Sequence, residues 1–430
     1  MSSSFTASHV CAAAVVGASA AAAALWAVNK RQRDRAAASL TSATTPRAFA
    51  LERYFGMHEF TCQVLLSSSD VESLSMKELL KMCANDEKAS GTIALWDDLS
   101  LGYTESQGHP ELLDEIAATY SADVQASHIL EVAPEEGILI AMSTLVAPGD
   151  DVIVTWPAYQ SLYEVAQARG ARLHKWSCRK GQRFDIGDLE EQIRACGGTV
   201  KLIVINFPHN PTGCWLKPTE IVRVVALARE SRAFLFSDEM YRGLEHGDVA
   251  PLPSACELYE KAVCLSGFSK AYAMPGLRIG WLACRDDNFC AAARQFKDYT
   301  TICGSAPSQI LALMGLRLRR AILSRSKAIL TDGLAALDAF CAKHHDKFEY
   351  HAPIAGPVAY LRIKGDGLTA ADAQQYSETL VKATGVMVVA GEMFEDNAGP
   401  YLRMGFAKAG FDERLAAWER TFDTVPLPGH

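Results

Sequence analysis

The chain has 430 residues, 49% of them hydrophobic and 21% charged, with a formal net charge of −8. That length allows a large core and more than one domain, and the composition is that of a globular protein rather than a disordered one. The acidic balance leaves no basic footprint for nucleic acid, and the 12 cysteines show no C-x-x-C pair and no zinc-type spacing against histidine, so the expectation is no nucleic-acid partner, no metal centre and reduced, mostly buried thiols.

Val10–Val28 carries no charge. As a helix it would be about 28 Å long, close to the roughly 30 Å of a bilayer core. Lys30, Arg31, Arg33 and Arg35 follow at once, and positive charge there keeps its side in the cytosol. The reading is a membrane anchor, a transmembrane helix through Val10–Val28, with the rest of the chain cytosolic. A mitochondrial or plastid targeting segment is the alternative, because the first acid is Asp34 and the stretch is rich in Ser, Ala and Arg. Residues 1–50 are assigned to this segment and its linker.

Ser73 and Ser75 are helix N-cap candidates before Met76–Met82. Gly102, Gly108 and Pro110 break the next stretch into a loop. Pro110 suits the first turn of a helix in which Leu112, Leu113, Ile116 and Ala117 repeat at helical spacing. Ile138–Val146 reads as an apolar helix and PGDDVIVTWPAY, residues 148–159, as a turn, a short β-branched strand and a loop. Leu202–Phe207 is a strand running into HNPTG, Ile221–Arg229 an amphipathic helix, and Ala233–Phe236 a strand ending at Ser237-Asp238. Val263–Leu265 is the strand before Lys270. Continuous apolar strands with helices between them imply an α/β fold, a mostly parallel sheet covered by helices. Beyond residue 310 a long helix at Ile310–Leu330, strands at Val358–Ile363, Val386–Val389 and Tyr401–Met404, and a helix near Ala371–Ala383 imply a smaller α+β domain. The expected organisation is a segment at 51–90 packing with that small domain, a large domain at 91–309 and the small domain at 310–430. In parallel sheets ligands sit beyond the carboxyl ends of the strands, and Asn210, Asp238 and Lys270 each follow the end of a separate strand.

Ser266–Trp281 brings Lys270 to the end of one apolar run and Arg278 to the start of another. An unpaired ammonium is expensive to bury, and a lysine held there with lowered pKa is a nucleophile suited to a Schiff base. An arginine offers a phosphate a planar fork. Together they suggest an aldehyde cofactor carrying a phosphate, pyridoxal phosphate. On this stretch alone, a strand, a polar loop and a second strand with two solvated cations is an equal reading. Such a cofactor also needs a buried carboxylate at its ring nitrogen, for which Asp238 is placed. Tyr241 and Asn210 are candidates for its phenolic oxygen, Tyr159 for its ring face, and Arg278 with hydroxyls and a helix N-terminus for its phosphate. Arg403 is a candidate clamp for a substrate carboxylate. Singly, each has a plainer alternative. Asp238 could be a helix cap, NPTG a turn and Tyr159 core. Arg403 could be a surface charge opposite Leu402 and Met404, and Glu135 and Glu136 first-turn helix acids. The conjunction, in one consistent order with the central residues at strand ends, carries the reading.

SLGYTESQG, NFPHNPTG, SDEMY, SGFSKAYAMPGLRIGW and YLRMGF, in that order, resemble the class I/II aminotransferases, the fold-type I pyridoxal-phosphate enzymes, over essentially everything from Leu51 onward. LERYFGMHEF and APEEGI are similar to a branch of capreomycidine synthase-like enzymes. The resemblance implies transfer of an amino group between an amino acid and a 2-oxo acid. A lyase or cyclase acting on an amino acid through the same groups (β-elimination, C–S cleavage or ring closure) is the alternative. A tethered scaffold without catalysis is disfavoured by the intact lysine, aspartate and arginines. The resemblance implies that Lys270, Asp238 and Tyr241 are catalytic, Lys270 as the Schiff-base lysine and Asp238 as partner of the ring nitrogen. Asn210 and Tyr241 then bond the phenolic oxygen and Tyr159 stacks on the ring. Ser269 and Arg278 hold the phosphate, helped by backbone near Pro134 and Glu135. Arg403, with Asn210, grips the α-carboxylate. Tyr103 reaches the neighbouring subunit's phosphate, which implies a homodimer with shared active sites. Two departures stand out: Gly267 replaces a hydroxyl residue three positions before the lysine, and Glu135-Glu136 replaces an uncharged loop. Both carboxylates are expected to turn away from the phosphate.

Overall fold

In a computed structural model the described residues are 45–179 and 181–430. Residues 48–430 hold together as one unit. The strands, in chain order, are β1 (Val64–Leu65), β2 (Ile129–Val132), β3 (Asp151–Trp156), β4 (Arg172–Ser177), β5 (Leu202–Asn206), β6 (Phe234–Asp238), β7 (Ala262–Gly267), β8 (Gly280–Ala283), β9 (Phe348–Glu349), β10 (Val358–Ile363), β11 (Val386–Met387), β12 (Val389–Ala390) and β13 (Tyr401–Gly405). Seven of them form the central sheet, in the order β2-β8-β7-β6-β5-β3-β4. Its pairings from β7 through β4 are parallel, and β8 is antiparallel to both neighbours. This is the α/β, mostly parallel architecture expected from the apolar strands. Along β5, Leu202 and Val204 enter one core while Ile203 and Ile205 enter the other, so helices cover both faces.

A smaller antiparallel sheet runs β12-β13-β10-β9, and β1 pairs in parallel with β11. Helix α1 (Ala50–His58) packs Leu51 and Tyr54 against Met387, Val389 and Phe394. The Tyr54 hydroxyl adds a 3.1 Å bond to the Val388 carbonyl. Ser75 caps Met76–Ala84 in a capping box with Glu78, and Pro110 opens Pro110–Ala117 at its first turn. The long helix expected at Ile310–Leu330 is two helices, Ala306–Arg317 and Arg319–Lys343. The eleven cysteines among the described residues are free thiols, most of them buried.

The membrane reading is corrected. No helix among the described residues is long and apolar enough to cross a membrane. The longest, Arg319–Lys343, has the length but carries seven charged side chains in its 25 residues, each costly in hydrocarbon. The proposed transmembrane helix at Val10–Val28, and the targeting alternative that falls on the same stretch, lie outside the described residues.

Candidate active site

The strand ends of β5, β6 and β7 open into a cavity of about 770 Å³. Lys270, three residues past β7, and Asp238, the last residue of β6, both line it. Lys270 Nζ donates to Ser69 Oγ at 2.9 Å. Burial holds the amine below its ordinary pKa; Asp70 and Asp238 oppose this, and Arg403 and Lys408 reinforce it. Asp238 Oδ1 accepts the Met240 N–H at 3.1 Å. Burial drives the Asp238 carboxyl up to about 7, against that N–H and the Lys270 charge and with help from Glu135. The two groups placed at the centre of the sequence reading therefore share one cavity and act on each other's charge.

Asn206 fixes the loop after β5: its Oδ1 accepts the Asn210 N–H at 2.8 Å and its Nδ2 donates to the Asp238 carbonyl at 3.1 Å. Asn210 then presents Oδ1 to Arg403 Nη1 at 3.2 Å. Tyr241 is buried in the same wall, its phenol pushed up to about 12 by that burial. Arg403 is not the surface charge that strand alternation allowed. It sits on β13 between β10 and β12, 1% exposed, with Nη2 donating to the Ser67 carbonyl at 2.5 Å. Its Nε has no partner, and no carboxylate pairs with it among the described residues. A buried guanidinium with an unused donor, facing a cavity, is a receptor for an anion.

The cavity is also lined by Pro134, Glu135 and Ile138 of helix α2 (Pro134–Leu145), whose first-turn N–H groups have no partner within the helix. Ser269 Oγ is buried without a partner, and Ser269 and Arg278 both line the cavity. Gly267 has a packing reason. It pairs with Gly280 across β7 and β8, and a Cβ on it would lie 2.9 Å from Gly280 Cα and 3.4 Å from Pro134 Cγ. A serine at 267 does not fit against the backbone of Ile279 and Gly280, so Ser269 is left to offer the hydroxyl.

The two helix acids part company. Glu136 turns away as expected: it accepts the Ala133 N–H at 3.1 Å and the Thr301 hydroxyl at 2.7 Å. Glu135 does not. It lines the cavity with Tyr159 and Arg278, and its carboxyl is pushed up by desolvation although the residue as a whole is exposed. The Tyr159 hydroxyl, which itself donates to Glu52 Oε1 at 3.0 Å, opposes that rise. With Tyr159 to lean on, the side chain has a place inside. Tyr103 is 93% exposed and does not line the cavity of its own chain.

Sequence reasoning missed Ser69, Asp70, Glu52 and Lys408. Lys408 Nζ bonds Asp70 Oδ2 at 3.0 Å. Burial works to raise the Asp70 pKa, but Lys270 and Lys408 outweigh it and hold the carboxyl below its usual range. The one available signal was the run of serines ending in Asp70, which lacks any periodicity.

An open α/β sheet with charged groups converging on a strand-end cavity is the arrangement that the resemblance to the fold-type I pyridoxal-phosphate enzymes implies. The chain matches the profile of the family "Aminotransferase class I and II" over residues 62–415 and belongs to that family. It is similar to capreomycidine synthase of Streptomyces vinaceus, 28% identical over 360 residues, covering 84% of this chain and 89% of the relative. Among solved structures it is similar to a PLP-dependent aminotransferase from Streptococcus suis, with 27% identity and a TM-score of 0.80 over 90% of this chain and 99% of that one. It shares the fold of the PLP-dependent cyclase OrfR, with 22% identity and a TM-score of 0.78 over 88% and 98% of the two chains. Family and fold imply pyridoxal phosphate.

Proposed function

We propose that this chain is a pyridoxal-phosphate enzyme that moves an amino group between an amino acid and a 2-oxo acid. The observation that carries the reading is the single cavity that collects Lys270, Asp238 and Arg403. The residues suit the cofactor. The unpartnered Ser269 Oγ, Arg278 and the N–H groups of α2 form a phosphate cup, and Asp238 lies buried where a ring nitrogen needs a carboxylate. Tyr159 supplies an aromatic face, and Tyr241 and Asn210 offer hydrogen bonds to a phenolic oxygen.

When bound, pyridoxal phosphate supplies an electrophilic aldehyde and a ring that withdraws electrons from the substrate carbon. Asp238 keeps the ring nitrogen protonated through its charge. Arg403, helped by Asn210, clamps the α-carboxylate and so turns Cα toward Lys270. The Lys270 amine, held toward its neutral form by burial, takes the Cα proton as general base. In a homodimer the exposed Tyr103 would complete the partner's phosphate cup. The similarity to capreomycidine synthase and the fold shared with OrfR favour a second reading, ring closure or elimination through the same lysine and aspartate. The test is to incubate the cofactor-loaded protein with a panel of amino acids and no acceptor. Pyridoxamine phosphate is the expected product. Pyruvate, ammonia or a cyclic amino acid without it would give the second reading the place of the first.

Glu135 bears on cofactor affinity. A carboxylate beside a phosphate dianion repels it. Glu135→Gln is therefore expected to tighten pyridoxal-phosphate binding about tenfold, measured by fluorescence titration of the cofactor-free protein. An unchanged affinity would mean that Glu135 leaves the cup on binding.

A further inference from the structure

Ser69 stands in Leu66–Asp70, a stretch pinned from several sides. Leu66 N–H donates to the Met387 carbonyl at 3.0 Å, and the Gly405 N–H donates to the Leu66 carbonyl at 2.8 Å. The Glu72 N–H reaches the Ala407 carbonyl at 2.8 Å. Arg403 holds the Ser67 carbonyl and Lys408 the Asp70 carboxylate. At Gly405 an added Cβ would lie 1.6 Å from the Ser68 carbonyl oxygen, so β13 carries glycine where this stretch lies against it. Ser69 Oγ is thereby fixed at a point between β13 and β7, and from there it takes the hydrogen bond of Lys270 Nζ. The Tyr241 phenol lies within reach of the same hydroxyl.

A neutral primary amine has two N–H bonds and one lone pair. With one N–H committed to a fixed acceptor, the lone pair is confined to the two tetrahedral positions that this N–H and the carbon stem leave. The freed amine needs that control when the Cα–H bond breaks: the proton passes to Nζ and the electron pair stays with the substrate carbon. We propose that Ser69 is the positioning residue for Lys270, holding the released amine with its lone pair aimed at the substrate Cα and so governing the proton-transfer step. This rests on the function proposed above.

Three measurements on Ser69→Ala and Ser69→Thr test it. In the cofactor-free protein, Ser69 Oγ accepts from the charged amine and favours it. The pH midpoint for labelling Lys270 with an amine-selective reagent, followed by mass spectrometry, is expected to fall in Ser69→Ala. In the loaded protein kcat is expected to fall about 100-fold with KM little changed, the scale of a misplaced reacting group. The isotope effect with a Cα-deuterated amino acid is expected to rise. Ser69→Thr, which keeps the hydroxyl, is expected to restore all three. An unchanged labelling midpoint, or a loss of kcat with no change in the isotope effect, would overturn the role of Ser69 while leaving the proposed function standing. A wild-type protein whose Lys270 forms no bond to pyridoxal phosphate would overturn both.

Discussion

Lys270→Ala is expected to lower turnover by at least about 10⁴-fold, the upper range for a positioned acid–base group, and to remove the absorbance of the lysine-bound cofactor. Two functions fall on the one amine, attachment of the aldehyde and transfer of the Cα proton, and no neighbouring group replaces either. Arg403 is committed to Asn210 and the Ser67 carbonyl, and Lys408 to Asp70. The fold should be indifferent to the change. Burial already disfavours the Lys270 charge, so truncation relieves a desolvation cost while forfeiting one bond to Ser69, and Tm is expected to stay equal or rise. Asp70 will respond, because Lys270 is the stronger of the two charges that hold its carboxyl down. Its pKa should move up by NMR titration in the variant. Turnover retained by Lys270→Ala, with the protein folded by calorimetry, would remove the basis of the proposed chemistry.

The parts of this fold that were legible from sequence are those where one physical signal dominates. β3, β5, β6 and β7 are mostly apolar runs because both faces of the sheet are covered; β3 was readable as a short strand, and β5, β6 and β7 to within a residue or two of their ends. β4 was not, because it is the edge strand: Arg172, His174 and Lys175 keep its run polar. The apolar run that became β8 was visible, but its direction was not. The short connection from β7 cannot make a parallel crossover, so β8 must run back antiparallel. For Arg403, alternation with Leu402 and Met404 also allowed a surface charge, because it predicts two faces but not that both are enclosed. At the site, Asn210, Asp238 and Lys270 were readable because each marks a strand end. Ser69 was not, because its partner lies 201 residues away and a serine run carries no pattern that points across the fold.

Asp238→Asn is expected to stabilise the cofactor-free protein and to cripple the reaction, two effects of opposite sign from one buried carboxyl. In the folded chain the Asp238 pKa is driven up to about 7 by burial. Below about pH 4 the carboxyl is protonated in folded and unfolded chains alike and has no effect. Between about pH 4 and 7 the unfolded chain ionises while the folded carboxyl holds its proton, so stability falls. Above about pH 7 the loss is complete, at about 4 kcal/mol. Asparagine has no such titration. The Tm advantage of Asp238→Asn should therefore be small near pH 4, grow up to about pH 7 and level off beyond it. Loading should erase the advantage, since a protonated ring nitrogen beside Asp238 gives the carboxylate the cation it lacks. The same variant should lose about 10³-fold in kcat, the scale of one removed electrostatic partner. Calorimetry across that pH range, with and without pyridoxal phosphate, separates the contributions. A Tm difference independent of pH in the cofactor-free protein would show that Asp238 ionises there unaided. It would then not be a carboxylate held in reserve for a cationic ring.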